Sequence, residues 1–194
     1  MKFSYLPILL MCIFNANAQS DRRSSFGVFA GVGGGAVVQK GLDGAGSKEM
    51  GIGLSIAVNY YCKLSGKTLF ETGIACYKNE VTFDNQNSPN GPAKAKTQNV
   101  YIVYVPVFLR HHLSKSFFLS GGLIADFDLS KNRYMDDQSG LGAGVGIGVN
   151  FPLSQKIVLG VNPFISIHGL LMIDGTSYSQ RLLETGIRLG IKTY

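Results

Sequence analysis

Leu141-Gly142-Ala143-Gly144-Val145-Gly146-Ile147-Gly148-Val149-Asn150-Phe151 alternates without interruption. Odd positions carry apolar side chains, and even positions carry glycine and one asparagine. Successive side chains point to opposite faces only in an extended strand. The stretch therefore reads as a strand with one apolar face and one almost bare face, which suits a boundary between two different solvents.

The same period of two recurs along the chain. Met50, Ile52, Leu54, Ile56, Val58 and Tyr60 alternate with Gly51, Gly53, Ser55, Ala57, Asn59 and Tyr61. Phe117, Leu119, Leu123, Ala125, Phe127 and Leu129 alternate with Ser120, Gly122, Asp126, Asp128 and Ser130. Near the end, Leu183, Thr185, Ile187, Leu189 and Ile191 stand against Glu184, Gly186, Arg188, Gly190 and Lys192. Segments near 26–38, 68–83, 99–112 and 157–171 read as strands with weaker contrast, making eight in all. The chain has 194 residues, 45% hydrophobic and only 15% charged, with 25 glycines. That balance excludes intrinsic disorder. Beyond the first fifteen residues no long apolar run appears, which excludes a helical anchor in the processed chain.

The connections alternate in length. Residues 62–67, 113–116 and 152–156 are short turns, whereas 39–49, 84–98, 132–139 and 173–180 are longer and polar. Eight antiparallel strands with short turns at one end and long loops at the other predict an all-β, up-and-down transmembrane barrel. Closure leaves no unpaired strand edge, as lipid requires. The competing architecture is a soluble, lipocalin-like carrier. Its outer face would have to be the one bearing Asp126, Asp128, Glu184, Arg188 and Lys192 among many glycines and serines, a poor solubilising surface.

Met1 to Ala18 reads as a secretory signal peptide: Lys2 supplies the positive region, Leu6 to Phe14 the apolar core, and Ala16-Asn17-Ala18 the cleavage site. Residues 19–25 are then a short periplasmic tail, and 26–194 the outer-membrane barrel domain with both termini in the periplasm. Cys12 leaves with the signal. A hairpin turning near Leu64-Ser65 sets Cys76 roughly against Gly53, far from Cys62, and predicts two free thiols.

Tyr101-Ile-Val-Tyr-Val-Pro-Val-Phe-Leu-Arg110, followed by a short turn and Phe118-Leu-Ser-Gly-Gly-Leu-Ile-Ala-Asp126, resembles the PorT-like, OmpX-like family of Gram-negative outer-membrane β-barrel proteins. Phe70-Glu-Thr-Gly-Ile74 and Gly142-Ala-Gly-Val-Gly-Ile-Gly148 resemble its other strand patterns, so the likeness spans the processed chain. Tyr104 stands where that family often has glutamate. The resemblance implies an outer-membrane barrel, with an accessory part in secretion or gliding machinery as one family role. It also makes Tyr194 the terminal aromatic read by the barrel-insertion machinery. Tyr194 is out of phase with Ile187, Leu189 and Ile191, and a bulge near Lys192-Thr193 would restore the phase.

Strand phase assigns the interior. Glu71 and Arg110 should sit almost opposite each other at the short-turn end as an ion pair, with Arg188 and Lys192 near the same end. Glu184 should fall opposite His168, with Asp126 and Asp128 inward toward the loop end. Tyr77, Tyr104, Phe108, Phe118 and Phe164 fill the space that glycines leave. Eight strands leave room for side chains alone, so a static polar plug is expected rather than an ion-responsive interior.

No cofactor or metal is expected. Gly31-Val-Gly33-Gly-Gly35 is followed by no helix, and His111-His112 point to opposite faces of a strand. His168 and Ser166, two residues apart on one face, offer poor nucleophile–base geometry for a lipid-modifying enzyme. The net charge of +6 comes from lysines and arginines spread over turns and loops without aromatic interleaving, which speaks against nucleic acid. Lys94 and Lys96 in the second long loop are placed to meet anionic lipopolysaccharide. A non-enzymatic membrane protein presenting surface loops is the expected function, with a small pore as the alternative.

Overall fold

A computed structural model of the chain describes residues 24–39, 48–83, 96–130, 135–172 and 180–193. The signal segment, Lys94 and Tyr194 lie outside them, as does the Lys96 side chain. The strands are β1 (Ser24–Gln39), β2 (Lys48–Met50), β3 (Gly53–Lys63), β4 (Thr68–Phe83), β5 (Lys96–His112), β6 (Phe117–Asp128), β7 (Gly140–Pro152), β8 (Ile157–Met172) and β9 (Gln180–Thr193). Every pairing is antiparallel: β2 and β3 both pair with β4, β1 pairs with β3 and β9, β4 with β5, and the later strands each with the next in the chain. Eight long strands thus form a closed barrel, in which β2 is a short extension of the β3 edge.

The short turns share a chemical design. Leu64-Ser65, Leu113-Ser114 and Leu153-Ser154 each donate two backbone N–H groups to one carbonyl, that of Thr68, Phe117 and Ile157. Ser114 and Ser154 hydroxyls accept the following backbone N–H groups, which satisfies those donors within the turn.

Alternation sorts the two faces as the barrel requires. Ile74, Leu123 and Val145 are 60%, 56% and 56% exposed on the outside, while Arg110, His168 and Glu184 are buried within. The glycines of β7 make room for that interior. A Cβ at Gly148 would strike the Phe118 ring, and one at Gly142 would meet the Ile167 carbonyl and the Asp126 carboxylate.

Two irregularities break the ladder that simple alternation assigns, and the first shifts its phase. Met50 pairs with Val81, but Leu54 pairs with Lys78, so one extra residue sits between β2 and β3. Met50 consequently packs against the interior core instead of sharing the outward face of Ile52 and Leu54. Across β7 and β8, Leu141 pairs with Leu171 and Ala143 with Ile167. The surplus lies at His168–Leu170, where Gly169 adopts φ 61°, a left-handed conformation open to glycine.

Two details differ from the sequence expectation. β1 begins at Ser24, whose partner is Cys62, so Ser24 and the buried Ser25 belong to the barrel and not to a tail. Cys76 pairs with Ile56 rather than lying near Gly53, because the first hairpin is centred on Gly66 and not between Leu64 and Ser65. Both cysteines are free thiols. The pairing of β9 runs without a bulge through Lys192-Thr193.

Candidate functional site in the charged interior

Side chains fill the barrel in layers. At the short-turn end, Arg110 on β5 meets Glu71 on β4: Nε and a terminal nitrogen lie 2.9 and 2.8 Å from the same carboxylate oxygen, Oε2. The other oxygen accepts Asn59 Nδ2 at 2.7 Å and the Tyr61 hydroxyl at 3.3 Å. Arg110 stacks on Phe118, 4.0 Å from its ring centroid, and Lys192 Nζ lies 4.3 Å from that of Tyr61. The contact is diagonal. Glu71 stands directly opposite Phe108, and Arg110 opposite Leu69, one step away from the predicted pairing. Long side chains span that diagonal.

A second cluster lies nearer the long loops. His168 Nδ1 is 2.8 Å from Asp126 Oδ1, and Nε2 is 3.1 Å from Glu184 Oε2. The bulge at Gly169 matters here: its backbone N–H donates to Asp126 Oδ2 at 3.1 Å. Glu184 stands opposite Ser166 and reaches His168 diagonally, because the β8–β9 register is offset from the expected one. Arg188 belongs to this cluster and not to the Lys192 end: it donates to the Tyr104 hydroxyl at 2.8 Å and lies 3.7 Å from Glu184. Four residues along β9 separate it from Lys192, more than a full layer of the interior. The guanidinium rests 3.5 Å from the Phe164 centroid, and the Tyr77 and Tyr104 rings flank the imidazole.

Asp128 has inward phase but stays outside this cluster. It accepts the backbone N–H of Ser130 at 2.7 Å and of Gln138 at 3.1 Å, so it organises the loop after β6. The segment Met135–Ser139 before β7 stoppers the mouth. Gln138, fully buried, donates to the carbonyls of Asp136 and Gln180 and accepts the Leu182 N–H. Met135 joins Val81, Val100 and Leu182 in an apolar layer above the ionic one.

Tyr77, Tyr104, Phe108, Phe118 and Phe164 all lie buried inside. Asn59, Tyr61, Asn79 and Ile124 line the same interior, and strand phase alone could have found them. Met135 and Gln138 carried no signal, since a loop has no period. Both nitrogens of His168 face carboxylates, which leaves neither to activate Ser166. Among the described residues no group of three histidine, cysteine or carboxylate side chains is arranged to hold a metal ion.

The barrel is similar to the outer membrane protein OprG from Pseudomonas aeruginosa, with a TM-score of 0.51 at 13% identity over 89% of this chain and 96% of that one. At that identity the likeness shows the fold. Alignments with the outer membrane protein AlkL (TM-score 0.49, 11% identity, 91% and 90% covered) and with Ail, the attachment invasion locus protein of Yersinia pestis (0.42, 10%, 88% and 99%), cover similar spans. No protein-family model and no curated protein sequence matches the chain.

Proposed function

We propose that the chain is a non-enzymatic integral protein of the bacterial outer membrane, a sealed barrel that holds its long loops at the cell surface for interaction with partners. One observation carries the reading: the faces are inverted relative to a soluble carrier. Ile74, Leu123 and Val145 point outward, while Glu71, Arg110, Asp126, His168 and Glu184 are inside and paired. Isolated charges in a low-dielectric interior are costly, and so is a wide apolar belt in water. Lipid outside and a satisfied polar core inside remove both costs.

The filled interior supports a plug over a small pore. Planar bilayers holding the purified protein should show no regular channels, and Arg110→Ala should not create them. The expected signal peptide, cleaved after Ala18, supports export, and the resemblance to PorT-like proteins supports an accessory role in secretion. Lipopolysaccharide contacts through Lys94 and Lys96, and recognition of Tyr194 by the insertion machinery, belong to the same proposal. The deciding experiment is fractionation of outer membranes with comparison of boiled and unboiled gel mobility. Recovery in the outer membrane with a heat-dependent shift is expected. Release into the soluble periplasm without a shift would overturn the proposal.

A further inference from the structure

Outside the barrel, one place in the apolar belt is dented. Two neighbouring rungs run across β3, β4 and β5: Leu54, Lys78 and Tyr101 on one, Ile56, Cys76 and Val103 on the next toward the short turns. Cys76 is the small member, flanked by two branched side chains, and the dent forms a groove of about 360 Å³. That lies within the ~300–1,000 Å³ of small-molecule sites.

The groove has a polarity. Going from the short turns along β4, the outward positions Phe70, Thr72, Ile74 and Cys76 carry no charge, and Lys78 is the first that does. Its Nζ leans over the Tyr101 ring, 5.7 Å from the centroid. An apolar trough below and an ammonium group above match a ligand with an alkyl chain and an anionic head. Tyrosine and lysine at this height also suit a membrane–water boundary.

We infer that this groove binds one acyl chain of a phosphorylated glycolipid of the outer leaflet, with Lys78 holding a phosphate. The inference rests on the outer-membrane reading, because that reading turns the long-loop end, and with it Lys78, toward the glycolipid leaflet.

Cys76 provides the test. The folded full chain in neutral detergent is alkylated with N-ethylmaleimide, and each thiol is followed by peptide mass spectrometry, with Cys62 as the internal control outside the groove. Bisphosphorylated lipid A should slow alkylation of Cys76 but not of Cys62. Lys78→Gln should raise the lipid A concentration needed by about fivefold, the effect of one basic side chain at an anionic headgroup surface. Dephosphorylated lipid A should lose protection to a similar extent, and inorganic phosphate should give none.

Cys76→Leu, which fills the trough, should abolish retention of lipid A in native mass spectra while keeping the heat-dependent mobility of the folded barrel. Equal protection by phosphatidylethanolamine would mark ordinary boundary lipid and overturn the inference, as would protection unchanged in Lys78→Gln. Because the assay uses purified protein, its failure is distinguishable from failure of the membrane reading, which cell fractionation decides.

Discussion

Glu71 and Arg110 meet across β4 and β5 so that both guanidinium contacts fall on one carboxylate oxygen, while Asn59 and Tyr61 occupy the other. The acid is therefore satisfied from two sides while both side chains are buried. Removing one partner leaves a buried charge, which costs ~3–5 kcal/mol. Glu71→Gln and Arg110→Met should each lower the urea midpoint of the folded barrel, and the double variant should regain part of the loss. Strictly additive losses would mean that the two side chains do not interact.

Gly148 is required by a ring rather than by a turn. An added methyl would strike Phe118, the ring on which Arg110 lies. Gly148→Ala should cost ~1–3 kcal/mol as overpacking. Adding Phe118→Leu should restore part of the stability, read as the temperature at which the folded gel band disappears. A variant as stable as the parent would refute the close approach.

The outward belt should respond to charge by depth. Val145→Arg, midway along β7, should disfavour folding into vesicles by ~2–4 kcal/mol, and Leu153→Arg in the short turn by only ~0–1 kcal/mol. Equilibrium folding titrations into phosphatidylcholine vesicles measure both. Equal penalties at the two positions would contradict a bilayer spanning this face.

Gln138 ties the loop before β7 to the start of β9 through two backbone groups, the Gln180 carbonyl and the Leu182 N–H. Gln138→Ala strands the buried Leu182 N–H and the Gln180 carbonyl, at ~1–3 kcal/mol for each unsatisfied group. Faster amide exchange at Leu182 and faster proteolysis at Met135–Ser139 should follow, with the rest of the barrel unchanged. Unaltered exchange would mean that the clasp does not hold the stopper.

Sequence alternation was enough to place eight strands, because each one separates two environments and a period of two records the separation. It gave the inward face of Glu71, His168 and Glu184, which share a phase with glycine or serine, and of Arg110, which shares one with Tyr104 and Phe108. Phase does not give register. The Glu71–Arg110 and His168–Glu184 contacts are diagonal, and a bulge turns Met50 inward against its apparent pattern. The bulge at Gly169 was equally invisible, since a glycine inside a strand is ambiguous until its neighbour's pairing is known. The stopper formed by Met135 and Gln138 depends on contacts between segments far apart in the chain, which no local pattern encodes.

The three Leu-Ser turns fasten β3 to β4, β5 to β6 and β7 to β8 at one end through the same pair of backbone contacts. Strand pairing is thus dictated at the rim opposite the long connections. The connections at 84–95 and 173–179 can then change in length and composition without disturbing a rung, and loop length itself adds little entropic cost. The barrel is in this respect a display frame: a foreign peptide spliced into 84–95 or 173–179 should leave its filled interior in place.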